Sequence, residues 1–236
     1  TGTTTITGNT GFLGTVRVAG ATSLEGAVVI GGSTPTLTIG DAGAEDAKIV
    51  FDGNAQDYHI GLDDSADTLV IGKGSALGTT TAMSFDANGI ITKPLQPAFY
   101  AHNNGTDNIT NIAINANRAV PFSTELFDNN GDFASNTFTA PVTGKYNLGV
   151  SLRLQHIDSA AAYYIVSIVI SNLSAHFIFD PDYGQDNVYH SVRFSTLTHM
   201  DANDTASVTI NQNAGTAQTD IQGDASYTYF FGHLVA

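Results

Sequence analysis

Residues 137–154, Thr-Phe-Thr-Ala-Pro-Val-Thr-Gly-Lys-Tyr-Asn-Leu-Gly-Val-Ser-Leu-Arg-Leu, constrain the fold more than any other stretch of the chain. From Tyr146 onward the alternation is unbroken. Tyr146, Leu148, Val150, Leu152 and Leu154 share one face; Asn147, Gly149, Ser151 and Arg153 share the other. That two-residue period is the mark of a strand with one buried side. Phe138 to Val142 reads as a short strand ended by Pro141. Thr143-Gly144 reads as a tight turn, where glycine takes positive φ at no steric cost. Together they predict the centre of an antiparallel all-β domain.

The rest of the chain agrees with β structure. Only 13% of residues are charged, and there are 24 glycines among 236 residues. Thr and Val suit pleated surfaces, while Gly and Asn suit turns. The net charge is −14, with the acids spread along the chain and no basic cluster. Nucleic acid as a partner is disfavoured, because nothing supplies the cationic footprint that phosphates need. Binding to anionic membrane is disfavoured for the same reason, and no apolar run is long enough for a membrane-spanning helix. The absence of cysteine removes disulfides, thiolate metal sites and cysteine nucleophiles, and leans toward a bacterial or viral source. No signal peptide is visible, and a start at Thr1 suits a fragment or a processed form.

Four segments follow from the pattern. Residues 1–47 carry short apolar beats before glycines at Thr5–Gly8, Val16–Gly20, Val28–Gly32 and Thr36–Gly40. Such an imperfect repeat cannot bury itself alone, so an intertwined β-prism or β-helical trimeric shaft is expected. Residues 48–92 read as a small β collar with hairpins, the last closing at Asn88-Gly89. Residues 93–97, with Pro94 and Pro97, read as a stiff linker. Residues 98–236 form a run of strands, the head, with candidates at Ala98–His102, Ile109–Ile114, Phe122–Phe127, Thr137–Ala140, Lys145–Gln155, Ala162–Ser171, Ala175–Phe179, Tyr189–Met200, Ala206–Asn211 and Ser226–Leu234. In it, Ala162–Ser171 and Ser226–Leu234 are apolar on both faces. Such strands need cover on both sides, which predicts an interface between copies through Tyr163, Ile165, Tyr227, Tyr229 and Phe231.

The head also resembles a known family. Pro97-Ala-Phe-Tyr-Ala101, Val120-Pro-Phe122, Phe127-Asp-Asn129, Phe133, Phe138-Thr-Ala-Pro-Val-Thr-Gly-Lys-Tyr146, Leu197 to Asp204 and Tyr229-Phe-Phe-Gly-His-Leu234 are similar to the globular head of complement C1q, a tumour-necrosis-factor-like (TNF-like) domain. The likeness covers 97–236. Ala202-Asn203-Asp204 departs from the family's usual Ala-Gly-Asp; Asn also tolerates left-handed φ, so the turn should survive. The resemblance implies a ten-stranded jelly-roll sandwich and a homotrimer with the last strand near the threefold axis. The Gly/Thr beats of the first 92 residues look like bacteriophage tail-fibre shafts, a compositional likeness only.

Catalytic patterns are missing. There is no Gly-x-Ser-x-Gly elbow, no His-x-x-x-His pair and no phosphate loop. A glycosidase needs two placed carboxylates, but Glu25 lies in the repeats, Glu125 lies beside a predicted core strand, and the aspartates sit in turns. No catalytic residue and no cofactor is expected. Asp180-Pro-Asp-Tyr-Gly-Gln-Asp186 is the most pointed polar cluster, and Asp180, Asp182 and Asp186 are a weak calcium candidate. With Tyr183, Tyr189 and His190, the same loop suits a sugar, which stacks on an aromatic face and bonds at its edge. The expected function is a homotrimeric virion or tail-fibre protein. Its N-terminal end would meet other tail or capsid proteins, and its head would bind a host-surface glycan or protein. A secreted bacterial adhesion protein and a polysaccharide hydrolase are the alternatives.

Overall fold

The structure is a computed structural model that describes residues 17–105 and 108–236. It divides into Thr1–Asp41 and Ala42–Ala236. The described part of the first unit, 17–41, holds no helix and no strand, and all of it is exposed. The strands expected at Val28–Gly32 and Thr36–Gly40 therefore do not form in this single chain. A beat of two or three residues has no neighbouring strand to complete its ladder, so its backbone groups stay with water. The Thr5–Gly8 beat and Val16 lie outside the described residues.

Ala42–Ala236 is all β among its described residues. Its first strands are β1 (Ala47–Phe51), β2 (Tyr58–Asp63), β3 (Thr68–Lys73), β4 (Thr81–Phe85) and β5 (Ile91–Thr92). They form an antiparallel meander in chain order. Cross-strand register puts Ile49, Ile60, Ile71 and Met83 in one row and Leu62, Leu69, Phe85 and Ile91 in another, with Phe51 opposite Tyr58, all on one face. The other face carries His59, Gly61, Val70 and Gly72, and it is the buried one. The 74–80 loop folds over it. The Gly74 carbonyl meets His59 Nδ1 at 2.8 Å, Lys48 Nζ donates to the Ser75 carbonyl, and a Cβ on Gly61 would touch Leu77.

The head begins with β6 (Ala98–His102), β7 (Arg118–Ala119), β8 (Thr124–Asp128), β9 (Phe133–Ala134), β10 (Thr137–Thr139) and β11 (Gly144–Ile157). It continues with β12 (Tyr163–Ile170), β13 (Ser174–Phe179), β14 (Asn187–Met200), β15 (Thr205–Asn213), β16 (Asp220–Ile221) and β17 (Tyr229–Leu234). One sheet runs β14-β11-β17-β6-β8 and the other β13-β12-β15-β10-β9. Pairing is nested: β6 with β17, β10 with β15, β11 with β14, β12 with β13. Successive pairs alternate between the sheets, which is the wrapping of a jelly roll. The expected strand at Ile109–Ile114 is reduced to single bridges from Ile109 to Ile221 and from Ile114 to Gln212.

The core lies between the sheets. Tyr146, Leu148, Leu152 and Leu154 of β11 face Tyr164, Val166 and Ile168 of β12 and Phe138 of β10, all fully buried. Phe99 stacks on Phe133 at 4.9 Å and on Phe138 at 4.8 Å, and meets Phe230 edge-on at 5.0 Å. The buried Tyr146 hydroxyl donates to the Val142 carbonyl at 2.7 Å, closing the corner after Pro141. Gly144 opens β11 without positive φ. Its glycine is needed for close approach instead, since Leu234 and the Ala236 carbonyl occupy the place of a Cβ. Asn203 does take left-handed φ, at 74°.

Candidate binding surfaces

Alternation that buries one side of β11 and β17 exposes the other. Tyr229 and Phe231 on β17, Tyr100 on β6 and Phe127 on β8 point away from the core and touch one another. Tyr100 stacks on Tyr229 at 5.1 Å and lies 6.2 Å from Phe127. The tip of the Phe231 ring lies against Gly149, in the place a Cβ would take. On the same face, the Arg153 guanidinium is held between the rings of Tyr189 and Tyr227, at 4.1 and 4.2 Å. Arg193 Nε donates to Ser151 Oγ at 3.1 Å. The result is a broad aromatic face with two cations, neither of them in an ion pair among the described residues. Leu197 at 63% exposed extends it.

The expected interface residues do not form one patch. Tyr227, Tyr229 and Phe231 lie on the face just described, whereas Tyr163 and Ile165 lie on the outer face of the opposite sheet. There Ile165 pairs with Ile178, and Ser167 Oγ lies 2.8 Å from His176 Nδ1. That serine–histidine pair, which sequence reasoning missed, arises because β12 and β13 put the two residues opposite each other. It has no carboxylate partner among the described residues, so it lacks the third member of a triad.

The Asp180–His190 set is also divided. Neighbouring residues on a strand face opposite ways, so Tyr189 turns to Arg153 while His190 turns inward. His190 stacks on Phe179 at 4.5 Å, Phe179 stacks on Tyr164 at 5.0 Å, and Tyr183 caps the row 5.8 Å from His190. Burial pushes the His190 pKa down, so the ring is neutral near pH 7. Asp186 accepts from Ser159 N and Ser159 Oγ at 2.8 and 2.7 Å, bonds that hold its carboxyl below the usual range. Asp180 accepts from the Asp182 amide. Asp180 and Asp182 thus share one turn, while Asp186 fastens the turn at Ser159. No cluster of three or more His, Cys, Asp or Glu suited to a metal ion occurs among the described residues.

One cavity of about 630 Å³ opens where β8 and β9 meet the 108–123 segment. Phe122 and Phe133 line it together with Arg118, Glu125, Asn108 and Asn136. Polar side chains outnumber apolar ones in its lining, so it suits a hydrogen-bonding ligand such as a sugar unit more than an apolar one. No motif announced it, because its residues come from three separate segments. No helix among the described residues is long and apolar enough to cross a membrane.

No family model matches the chain, and none of the curated proteins matches it. Solved structures do. The globular domain of zebrafish complement 1qA protein matches at 17% identity and a TM-score of 0.43, covering 60% of this chain and 98% of its own. Murine APRIL at pH 8.0 matches at 15% identity and 0.43, covering 59% of this chain and 99% of its own. Murine APRIL at pH 5.0 gives 15% and 0.42 over the same shares. These are the two kinds of protein, C1q and TNF-like, that the head sequence resembles.

Proposed function

We propose that this chain is a homotrimeric virion fibre protein, of the bacteriophage tail-fibre kind, whose jelly-roll head binds a host-surface glycan. The observation that supports self-assembly is the aromatic face of Tyr100, Phe127, Tyr229 and Phe231, which a lone chain leaves only half-buried, with Phe127 44% exposed. Contiguous exposed apolar patches of this kind mark association sites. The fibre reading draws on the order of segments. Exposed apolar residues in 17–41, a collar with an open apolar face, and the head's aromatic face follow one another along the chain. Copies running side by side cover all three. The N-terminal end then joins other tail or capsid proteins, and the head is presented outward.

A non-catalytic binding role fits a head whose candidate features are stacking surfaces and a polar-rimmed cavity. The Tyr183–His190–Phe179 row offers a neutral aromatic edge beside hydrogen-bonding turns, and the Arg118–Glu125 cavity offers a second sugar-sized place. Trimer valency multiplies weak single contacts. Antibody against the head should decorate fibres on virions in electron micrographs, and a glycan array should retain the full chain on a defined set of sugars. Tyr183→Ala and Arg118→Ala, made separately, tell which place binds. Antibody that marks only cell surfaces would favour the adhesion protein instead, and release of reducing sugar from a retained polysaccharide would favour a hydrolase.

A further inference from the structure

The five-stranded sheet β1–β5 has its faces the wrong way round for a self-sufficient unit. Its inner side, under the 74–80 loop, is His59, Gly61, Val70 and Gly72. Its apolar side is open. Ile49 is 41% exposed, Phe51 55%, Tyr58 53%, Ile60 37%, Leu62 45% and Leu69 44%. Together with Ile91, at 53%, these residues present roughly 600 Å² of surface, about three-quarters of the ~800 Å² that each partner gives to a standard interface.

We infer that this face is an interface between copies of the same chain, closing the collar as a second, separate contact of the homo-oligomer. The chemistry of the face selects the partner. Apart from Lys73 at its rim and the Tyr58 hydroxyl, it carries neither charge nor hydrogen-bonding side chain, so it has nothing to hold a phosphate or a sugar. It fits only another apolar protein surface. Identical copies supply one, because each brings the same rows of branched and aromatic side chains, and cyclic symmetry lets every copy cover its neighbour. The head reinforces this. The linker after β5 is short and fastened to the head, with Asn129 and Asn130 side-chain amides donating to the Gln96 and Leu95 carbonyls. Heads that associate through β17 and β6 therefore hold their collars at high local concentration.

The inference rests on the homo-oligomeric reading above, and one experiment separates the two. The chain has no cysteine, so single thiols report without background. Ile60→Cys and Leu69→Cys go onto the open face, where the side chains are already half-exposed and the fold does not depend on them. Ser65→Cys in the β2–β3 turn is the control. Each full-length variant is sized by light scattering and labelled with a charged maleimide. The expected result is an oligomer in which the Ile60→Cys and Leu69→Cys thiols label at least about tenfold more slowly than the control, and in which oxidation links chains through Ile60→Cys. An oligomer whose face thiols label as fast as the control overturns the collar interface and leaves the head interface standing. A monomer with fast labelling overturns both. A monomer with slow labelling shows the face covered by the chain's own residues, and also overturns the inference.

Discussion

Gly149 shows how much a single position settles. Its missing side chain is what lets the tip of the Phe231 ring pack against β11 and build the aromatic face. Gly149→Val should push that ring outward while leaving the core side of β11 intact. The expected cost to the folded head is about 1–3 kcal/mol, read as a lowered thermal midpoint, with a larger loss of association. Asp158 makes a second prediction. It is 2% exposed. Burial pushes its pKa up, but amide bonds from Ala217, Ala160 and Thr216 outweigh that and hold it below the usual range. A depressed folded pKa contributes stability above the unfolded value of about 3.9, which is lost as pH falls through the lower folded value. Denaturant midpoints of the wild type should therefore drop below about pH 4. Asp158→Asn should be less stable by about 1–3 kcal/mol at pH 7 and should flatten that acid limb. An unchanged acid limb would show that Asp158 does not carry it.

Among elements, the strands were legible where alternation was clean. β6, β11, β12, β14 and β15 fall where Ala98–His102, the Tyr146–Leu154 row, Ala162–Ser171, Tyr189–Met200 and Ala206–Asn211 put them. Three things were not legible. The beats of 17–41 have β composition but no partner strand among the described residues. Ile109–Ile114 is apolar because Ile109 and Ile112 plug the core from a loop, and a periodicity cannot tell a plug from a strand. In β1–β5 the alternation of Ile60 and Leu62 with His59 and Gly61 is plain, yet it suggests the apolar side as the buried one. The 74–80 loop reverses that, through contacts far apart in sequence. The candidate loop has the same lesson, since Tyr189 and His190 are adjacent in sequence and on opposite faces of β14. Tyr189→Ala should accordingly loosen the Arg153 clamp and the aromatic face while leaving glycan retention unchanged. Tyr183→Ala should reduce retention and leave association unchanged. Equal effects from both variants on retention would rejoin what the structure separates.

For the molecule as a whole, the central claim is that one chain is only a fraction of the working structure. Aromatic side chains on the head sheet and branched ones on β1–β5 are left half-exposed, and the apolar ones in 17–41 are exposed, in a chain whose jelly-roll core is otherwise closed. The most direct measurement is the native mass of the full chain at micromolar concentration. A species of three times the 24.7 kDa chain mass, which falls to the single-chain mass on combining Phe231→Asp with Ile60→Asp, is the predicted result. A stable, soluble single chain at that concentration, with both faces still open, would contradict it.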